Sequence, residues 1–382
     1  MSAKHVAAFG YYERGNVGDE IFLQTLQNNP YNIRFEALNA TAQKGRVTRL
    51  VLTVGEYVKQ KTKLDTSVYY QGRFLPSKVR TKYIENTLQD FDSVLLGPGG
   101  FVWLSGFHPW LDGLYRALLK RKLPLYCYGL GVEPPETKNE CGPLDIKVLQ
   151  KWNELLALSE TVYVRDNYSK DLLQTYSIHD HVLVVNDVAF AYPLPSPYKK
   201  QEKIVGINLR TKFANSDIFT NKQQMVDLID FFVDQGYKIL LIPFQERNGN
   251  GAENDLMILQ DILQLTEHKS SVRILQNVSP CEILRRMGSL DFFIGTRYHS
   301  VLFALRYGIT TCAIAYRPKV RSLMEEYYGL GEYVVKPDQV SMIKELFMDR
   351  EKIRSKVVTK TPEIERTTKK QLDSFLHDLS RV

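Results

Sequence analysis

The sequence predicts an α/β protein of two doubly wound, parallel-sheet domains. Short apolar runs alternate with longer helical patterns from one end to the other, the rhythm of βαβ units. A polar, proline-containing break, YPLPSPYKKQEK (Tyr192–Lys203), divides that rhythm in two. Glycines follow strands in the first half and cations follow them in the second. With 382 residues the chain is long enough for two cores.

In the first half the expected strands are 5–10, 33–38, 91–97, 123–129, 161–166 and 181–187. In the second they are 203–210, 237–244, 272–276, 292–296 and 310–316. Each is an apolar, β-branched run of strand length. Segments such as SKDLLQTY and QQMVDLIDFFVDQG carry helical spacing between them. The expected domains are 1–195 and 203–360, followed by a charged C-terminal helix over 361–382. Residues 44–82 carry no clear pattern.

Composition excludes several classes. Fifty Lys+Arg against 43 Asp+Glu give a net charge of +7, without the basic block of a nucleic-acid binder. Cys127, Cys141, Cys281 and Cys312 show no CxxC or CxxH spacing, so no zinc or redox motif is expected. No apolar run reaches the ~20 residues of a membrane span. The N-terminal segment lacks a signal-peptide core, so a cytoplasmic protein is expected.

Ligands of parallel sheets bind at the carboxyl ends of the strands, so the residues after each strand matter most. The first strand leads into GYYERGNVGDE, which is neither GxGxxG nor a Walker loop. Gly15, Asn16 and Gly18 form a tight turn there, and Asp19 is placed to cap the next helix. The turn either offers backbone amides to an anion or sugar, or is a plain strand-to-helix corner. GPGGF, with Gly99 and Gly100, and GLGVEPP, with Gly129 and Gly131, are expected as two further glycine loops.

In the second half, strands end at Arg210, at Gln245–Glu246, at Arg297 and His299, and at Arg317 and Lys319. If the strand order brings these ends together, they form a cationic edge suited to a ligand carrying phosphate and carboxylate. His299, in the first turn of a helix, is the group able to exchange a proton near neutral pH. The DxD of Asp90 and Asp92 and the His179–His181 pair both precede strands, away from that edge.

Taken together, four segments resemble the polysaccharide pyruvyl transferase family. They are GNVGDE (15–20), GPGGF (97–101), VRDNYSKDLL (164–173) with NDVAF (186–190), and GTRYHSVLFALRYG with AIAYRPKV (295–308 and 313–320). The resemblance implies a GT-B-like architecture, two Rossmann-like domains facing across a cleft, with the acceptor on the N-terminal side and the donor on the C-terminal side. It implies transfer of the enolpyruvyl group of phosphoenolpyruvate to a sugar or glycan precursor, giving a pyruvate ketal and phosphate; the alternatives are a nucleotide-sugar-dependent glycosyltransferase of the GT-B type and a non-catalytic glycan-binding relative. Phosphoenolpyruvate is then a co-substrate, with no metal and no other cofactor. The expected partners include a glycan precursor, with peripheral association where that precursor is membrane-bound.

The resemblance also implies that Arg297 and His299 hold the donor, with Arg210 and Lys319, and with Arg165 as a further contact. Alternatively, Arg165 pairs with Asp166 or Asp187. The chain departs from the family at Pro98, inside a glycine run, and at Arg317, where many members carry aspartate. The segment FVWLSGFHPWLDG, with Trp103, Phe107, His108 and Trp110, has no counterpart in that pattern. Its aromatic residues either stack on an acceptor sugar or pack in the core.

Overall fold

The computed structural model describes residues 3–12, 15–39, 77–134, 145–213, 216–219, 222–246 and 254–381. Cys141 and most of 44–82 lie outside the described residues. Among the described residues, no helix is long and apolar enough to cross a membrane.

The first sheet is built from β1 (Lys4–Gly10), β2 (Ile33–Asn39), β3 (Ser93–Leu96), β4 (Gly99–Trp103), β5 (Leu125–Glu133), β6 (Val162–Val164) and β7 (Val182–Val184). Its order is β2-β1-β3-β5-β6-β7, with β4 paired to β5, and the pairs are parallel. β3 is buried along its whole length, as expected where helices cover both faces.

β8 (Ile204–Asn208) opens the second sheet. A short antiparallel ribbon follows, β9 (Lys212–Phe213) and β10 (Ser216–Asp217). Then come β11 (Lys238–Leu241), β12 (Val272–Ile274), β13 (Phe292–Gly295), β14 (Thr310–Ile314) and β15 (Val334–Val335). The order is β12-β11-β8-β13-β14-β15, again parallel. Strands added after β8 first extend one side and then cross to the other. The order therefore reverses between β8 and β13, the place where open α/β sheets bind ligands.

Each of the eleven expected strands is present. Two expected glycine loops are corrected. Gly99 and Gly100 lie inside β4, paired with Leu130 and Gly131 of β5. Gly129 and Gly131 lie inside β5, which runs on to Glu133. Gly99 and Gly129 take positive φ, 127° and 67°, which glycine adopts without strain, and crowding explains Gly131. A Cβ on Gly131 would come within 2.7 Å of the Arg165 guanidinium.

The chain forms two compact units that do not follow the proline break. Unit 1 is Met1–Glu13, Leu26–Val185 and Leu376–Val382; unit 2 is Arg14–Thr25 and Asn186–Phe375. The division after Val185 rather than near 195 has a physical cause. Buried Arg306 donates to the carbonyls of Ala189 (2.6 Å) and Tyr192 (2.8 Å), and the Tyr307 hydroxyl donates to Pro195 O (2.8 Å). The linker is thereby sewn onto unit 2. The terminal helix runs Arg350–Arg381, starting well before the expected 361. Pro362 hid this in the sequence, because Thr-Pro reads as a helix start. In the structure Pro362 is exposed inside the helix, while Ile353, Val357, Ile364 and Leu372 keep one buried stripe through it.

The aromatic segment is partly core: Trp110 is 2% exposed and packs in unit 1 with Trp152, 1% exposed, while Trp103, Phe107 and His108 are half-buried. Phe101 and Phe107 meet Trp152 edge-on at 6.4 and 4.9 Å, and its indole N–H donates to Trp103 O at 2.9 Å. His108 caps the helix Pro109–Arg121. Burial also explains the inert thiols: it pushes the Cys127 thiol up to about 12, and Cys312 upward as well. Trp152→Ala should cost about 3–5 kcal/mol, the usual loss for a buried tryptophan. Urea unfolding monitored for unit 1 measures it, and a loss below about 1 kcal/mol would mean that the cluster does not hold this core.

Candidate active site

The conditional expectation about strand order is met. β8, β13 and β14 are neighbours, and Arg210, Arg297–His299 and Tyr316–Lys319 follow their carboxyl ends. Adjacent strands lie about 4.8 Å apart, so these three strand ends fall within roughly 10 Å. The Arg210 guanidinium donates to the Tyr316 hydroxyl (3.0 Å) and lies over its ring, 5.5 Å from the centroid. Lys319 is half-buried in the short helix Pro318–Ser322, and Arg317, 5% exposed, starts that helix.

Arg297 takes a different position from the one the sequence suggests. It is 8% exposed and turned onto Asp255, which is 0% exposed. Its Nε lies 2.9 and 2.8 Å from the two carboxylate oxygens, and Nη2 lies 2.6 Å from Oδ1. Asp255 also accepts the amides of Phe244 (3.0 Å) and Gln245 (3.2 Å) and the side chain of Asn208 (3.2 Å). Asn208 Oδ1 in turn accepts the Arg297 amide at 3.2 Å and lies 3.0 Å from Ser300 Oγ. Arg297 is thus the strut of a buried network at the reversal point. This pairing gives Arg297 a structural role at the strand ends beside the donor role expected of it.

His299 is the second residue of the helix Tyr298–Arg306, with 12% of its side chain exposed. Its Nε2 lies 3.7 Å from Oδ2 of Asp187, which is 1% exposed. The Phe22 ring meets it edge-on at 4.8 Å. Asp187 opens a 3-10 turn, and its Oδ1 accepts the Ala189 amide at 2.9 Å.

The first glycine turn belongs to this same unit. Asn16 forms a bridge with Gln245, and the Val17 amide donates to Phe244 O at 3.0 Å. Gly15 has φ +71°, and a Cβ there would lie 2.6 Å from Glu246 O. A Cβ on Gly18 would lie 2.0 Å from His299 Nδ1, so this glycine exists to admit the imidazole. The capping assignment is corrected too. Asn16, just before the helix Val17–Gln27, accepts the Gly18 amide at 3.0 Å, and Asp19 sits within the first turn, where the helix dipole favours an acid. Beside the turn, burial holds the Glu246 carboxyl above its usual range; the Asn277 amide bond opposes this and nearby Asp255 adds to it.

Arg165 belongs to unit 1. It is 2% exposed, and its Nε lies 3.6 Å from Asp166 Oδ2. Of the two carboxylates suggested for it, Asp166 is the partner, whereas Asp187 serves His299. Asp90 and Asp92 are engaged with His5, through the Asp90 carbonyl (2.8 Å) and the Asp92 carboxylate (2.7 Å). Sequence reading missed Asn208, Asp255 and Tyr316. Asn208 left a signal, a lone amide inside an apolar strand; Asp255 left none.

The fold is a two-sheet α/β architecture of the GT-B type. The family model for polysaccharide pyruvyl transferase matches residues 16–318, and the chain belongs to that family of enzymes. Among solved structures, it is similar to sucrose-phosphate synthase of Thermosynechococcus elongatus, with 12% identity, 99% of this chain and 98% of that chain covered, and a TM-score of 0.59. It is similar also to UDP-GlcNAc 2-epimerase of Neisseria meningitidis bound to UDP-GlcNAc, with 14% identity, 98% and 100% covered, and a TM-score of 0.53. At such identities the likeness is one of fold.

Removing one partner of a buried ion pair strands the other charge. Arg297→Ala should therefore lower stability by about 3–5 kcal/mol. The paired replacement Arg297→Met with Asp255→Leu should recover part of that loss, read by denaturant melts. Full stability of Arg297→Ala would remove the strut from the account. In a second expectation, Gly18→Ala should keep the fold and cut turnover at least tenfold by displacing the imidazole. Unchanged turnover would show that the contact with His299 is incidental.

Proposed function

We propose that the protein transfers the enolpyruvyl group of phosphoenolpyruvate to two hydroxyls of a sugar, forming a pyruvate ketal and releasing phosphate. The observation that carries this reading is the meeting of Arg210, His299 and Lys319 on neighbouring strand ends where the sheet order reverses. Family membership supports the transferase class. The acceptor is a sugar of a polysaccharide or glycan precursor, and the reading needs no metal.

The donor carries a phosphate and a carboxylate on one carbon. Arg210 and Lys319 supply charge for these anions, and Arg210 is oriented by Tyr316. His299 protonates the methylene carbon, which leaves a cationic centre at the carbon bearing oxygen. One sugar hydroxyl adds there and loses its proton. The carbon–oxygen bond to phosphate breaks, and a second hydroxyl closes the ketal. Of the two hydroxyl protons, one balances the new methyl group and the other leaves with phosphate. The cations stabilise charge on the departing phosphate. Arg297 acts one layer beneath, holding the turn that presents His299.

Phosphoenolpyruvate should raise the melting temperature with chelator present, by mass action on the native state. Stabilisation by nucleotide sugars alone, or only with a divalent ion, would overturn this reading. Arg210→Ala should weaken donor binding by about 1–3 kcal/mol, the worth of a lost charged hydrogen bond. His299→Gln should lower phosphate release with a working acceptor roughly 10²–10⁴-fold while donor affinity changes little. Near-normal turnover of His299→Gln would exclude the acid role.

A further inference from the structure

Asp187, the carboxylate beside His299, is mounted with care. Its carboxylate is 1% exposed, a costly placement for a charge without compensation. The Ala189 amide fixes Oδ1 at 2.9 Å, which sets the plane of the carboxylate. The turn itself is clamped, because Arg306 donates to the Ala189 and Tyr192 carbonyls and pairs with Glu365 at 2.7 Å. From the other side, the Asp187 amide donates to the Tyr327 hydroxyl at 3.2 Å, and the Tyr327 ring packs on Phe190 at 5.1 Å. The remaining oxygen, Oδ2, faces His299 Nε2 at 3.7 Å, ion-pair range and longer than a hydrogen bond.

The imidazole is just as constrained. Phe22 meets one side edge-on, and Tyr298 stands at 83° to it with centroids 5.1 Å apart. On the Nδ1 edge stands Gly18, where any Cβ would lie within 2.0 Å of the nitrogen. The two ring nitrogens are therefore sorted by their surroundings. Nε2 faces a buried carboxylate, and Nδ1 packs against the Gly18 backbone.

We infer that Asp187 is the positioning residue of His299, fixing the orientation of the ring and holding the proton on Nε2. A carboxylate behind a histidine is the general device for fixing its tautomer and ring orientation. Replacing the carboxylate by an amide preserves shape but presents a donor where an acceptor is required, so the wrong tautomer is stabilised.

This inference rests on the proposed acid role of His299, and the test separates the two. Long-range 15N–1H correlation spectra of the free wild-type protein report the tautomer directly, with His299→Gln identifying the signal. Neutral His299 should be protonated on Nε2, and the same ring in Asp187→Asn should shift toward protonation on Nδ1. In kinetics with phosphoenolpyruvate, Asp187→Asn should lower kcat by roughly 10–100-fold or more, the usual cost of losing such a partner. KM for phosphoenolpyruvate should stay within about threefold. A wild-type ring protonated on Nδ1 overturns the inference without any variant having to fold. So does an active wild-type enzyme whose Asp187→Asn variant keeps its kcat, which would leave the transferase reading standing. An Nε2 tautomer in a protein that never turns over phosphoenolpyruvate supports the positioning role and overturns the substrate.

Discussion

One buried charge organises the second unit. Asp255 is wholly out of water, and a carboxylate there is tolerable only when its lone pairs are filled. They are filled by Arg297, Asn208 and the amides of Phe244 and Gln245. Those partners come from the ends of β13, β8 and β11. A single side chain thus sets the mutual placement of three strand ends. The network behaves as a unit, since any missing member leaves a polar group stranded in low dielectric. Gln245 then bridges to Asn16, and Arg297 starts the helix that carries His299.

This changes what the arginine and the histidine of TRYH each do. Arginine suits the inner role because its planar fork meets a carboxylate on two edges and keeps its charge when buried. Lysine would supply charge without that geometry. The histidine, two residues on, keeps contact with the surface. A motif that reads as two ligand contacts therefore includes one residue, Arg297, that is engaged in holding strand ends, and the proposed ligand charge comes from the neighbouring strands.

The sequence revealed the strands and their class because burial on both faces demands continuous apolar runs, and each of these was visible. It revealed the residues at strand ends because a parallel sheet puts ligand groups there. It did not reveal which of those residues turn inward. Asp255 precedes Arg297 by 42 residues, at the start of the helix Leu256–Leu265, where an aspartate reads as an ordinary cap, so nothing local announces the pair. The glycines misled for a related reason. GPGGF and GLG look like loops, but Gly99 and Gly129 supply positive φ inside strands, and at Gly131 the missing Cβ leaves room for Arg165. Pro362 misled because a proline with an exposed ring inside a long helix resembles a helix start.

The first glycine turn shows why residues at opposite ends of the chain belong to one site. Residues 14–25 pack with unit 2, although β1 just before them belongs to unit 1. Gly18 meets the ring of His299, and Phe22 one turn later covers the same ring. The glycine is therefore a steric requirement imposed by a histidine some 280 residues away. The family match runs from Asn16 to Pro318, and its two ends coincide with this arrangement. It opens at the residue that caps the helix bearing Gly18 and closes beside Lys319. His299 is thus held between a glycine from the start of the matched stretch and the carboxylate of Asp187 from its middle.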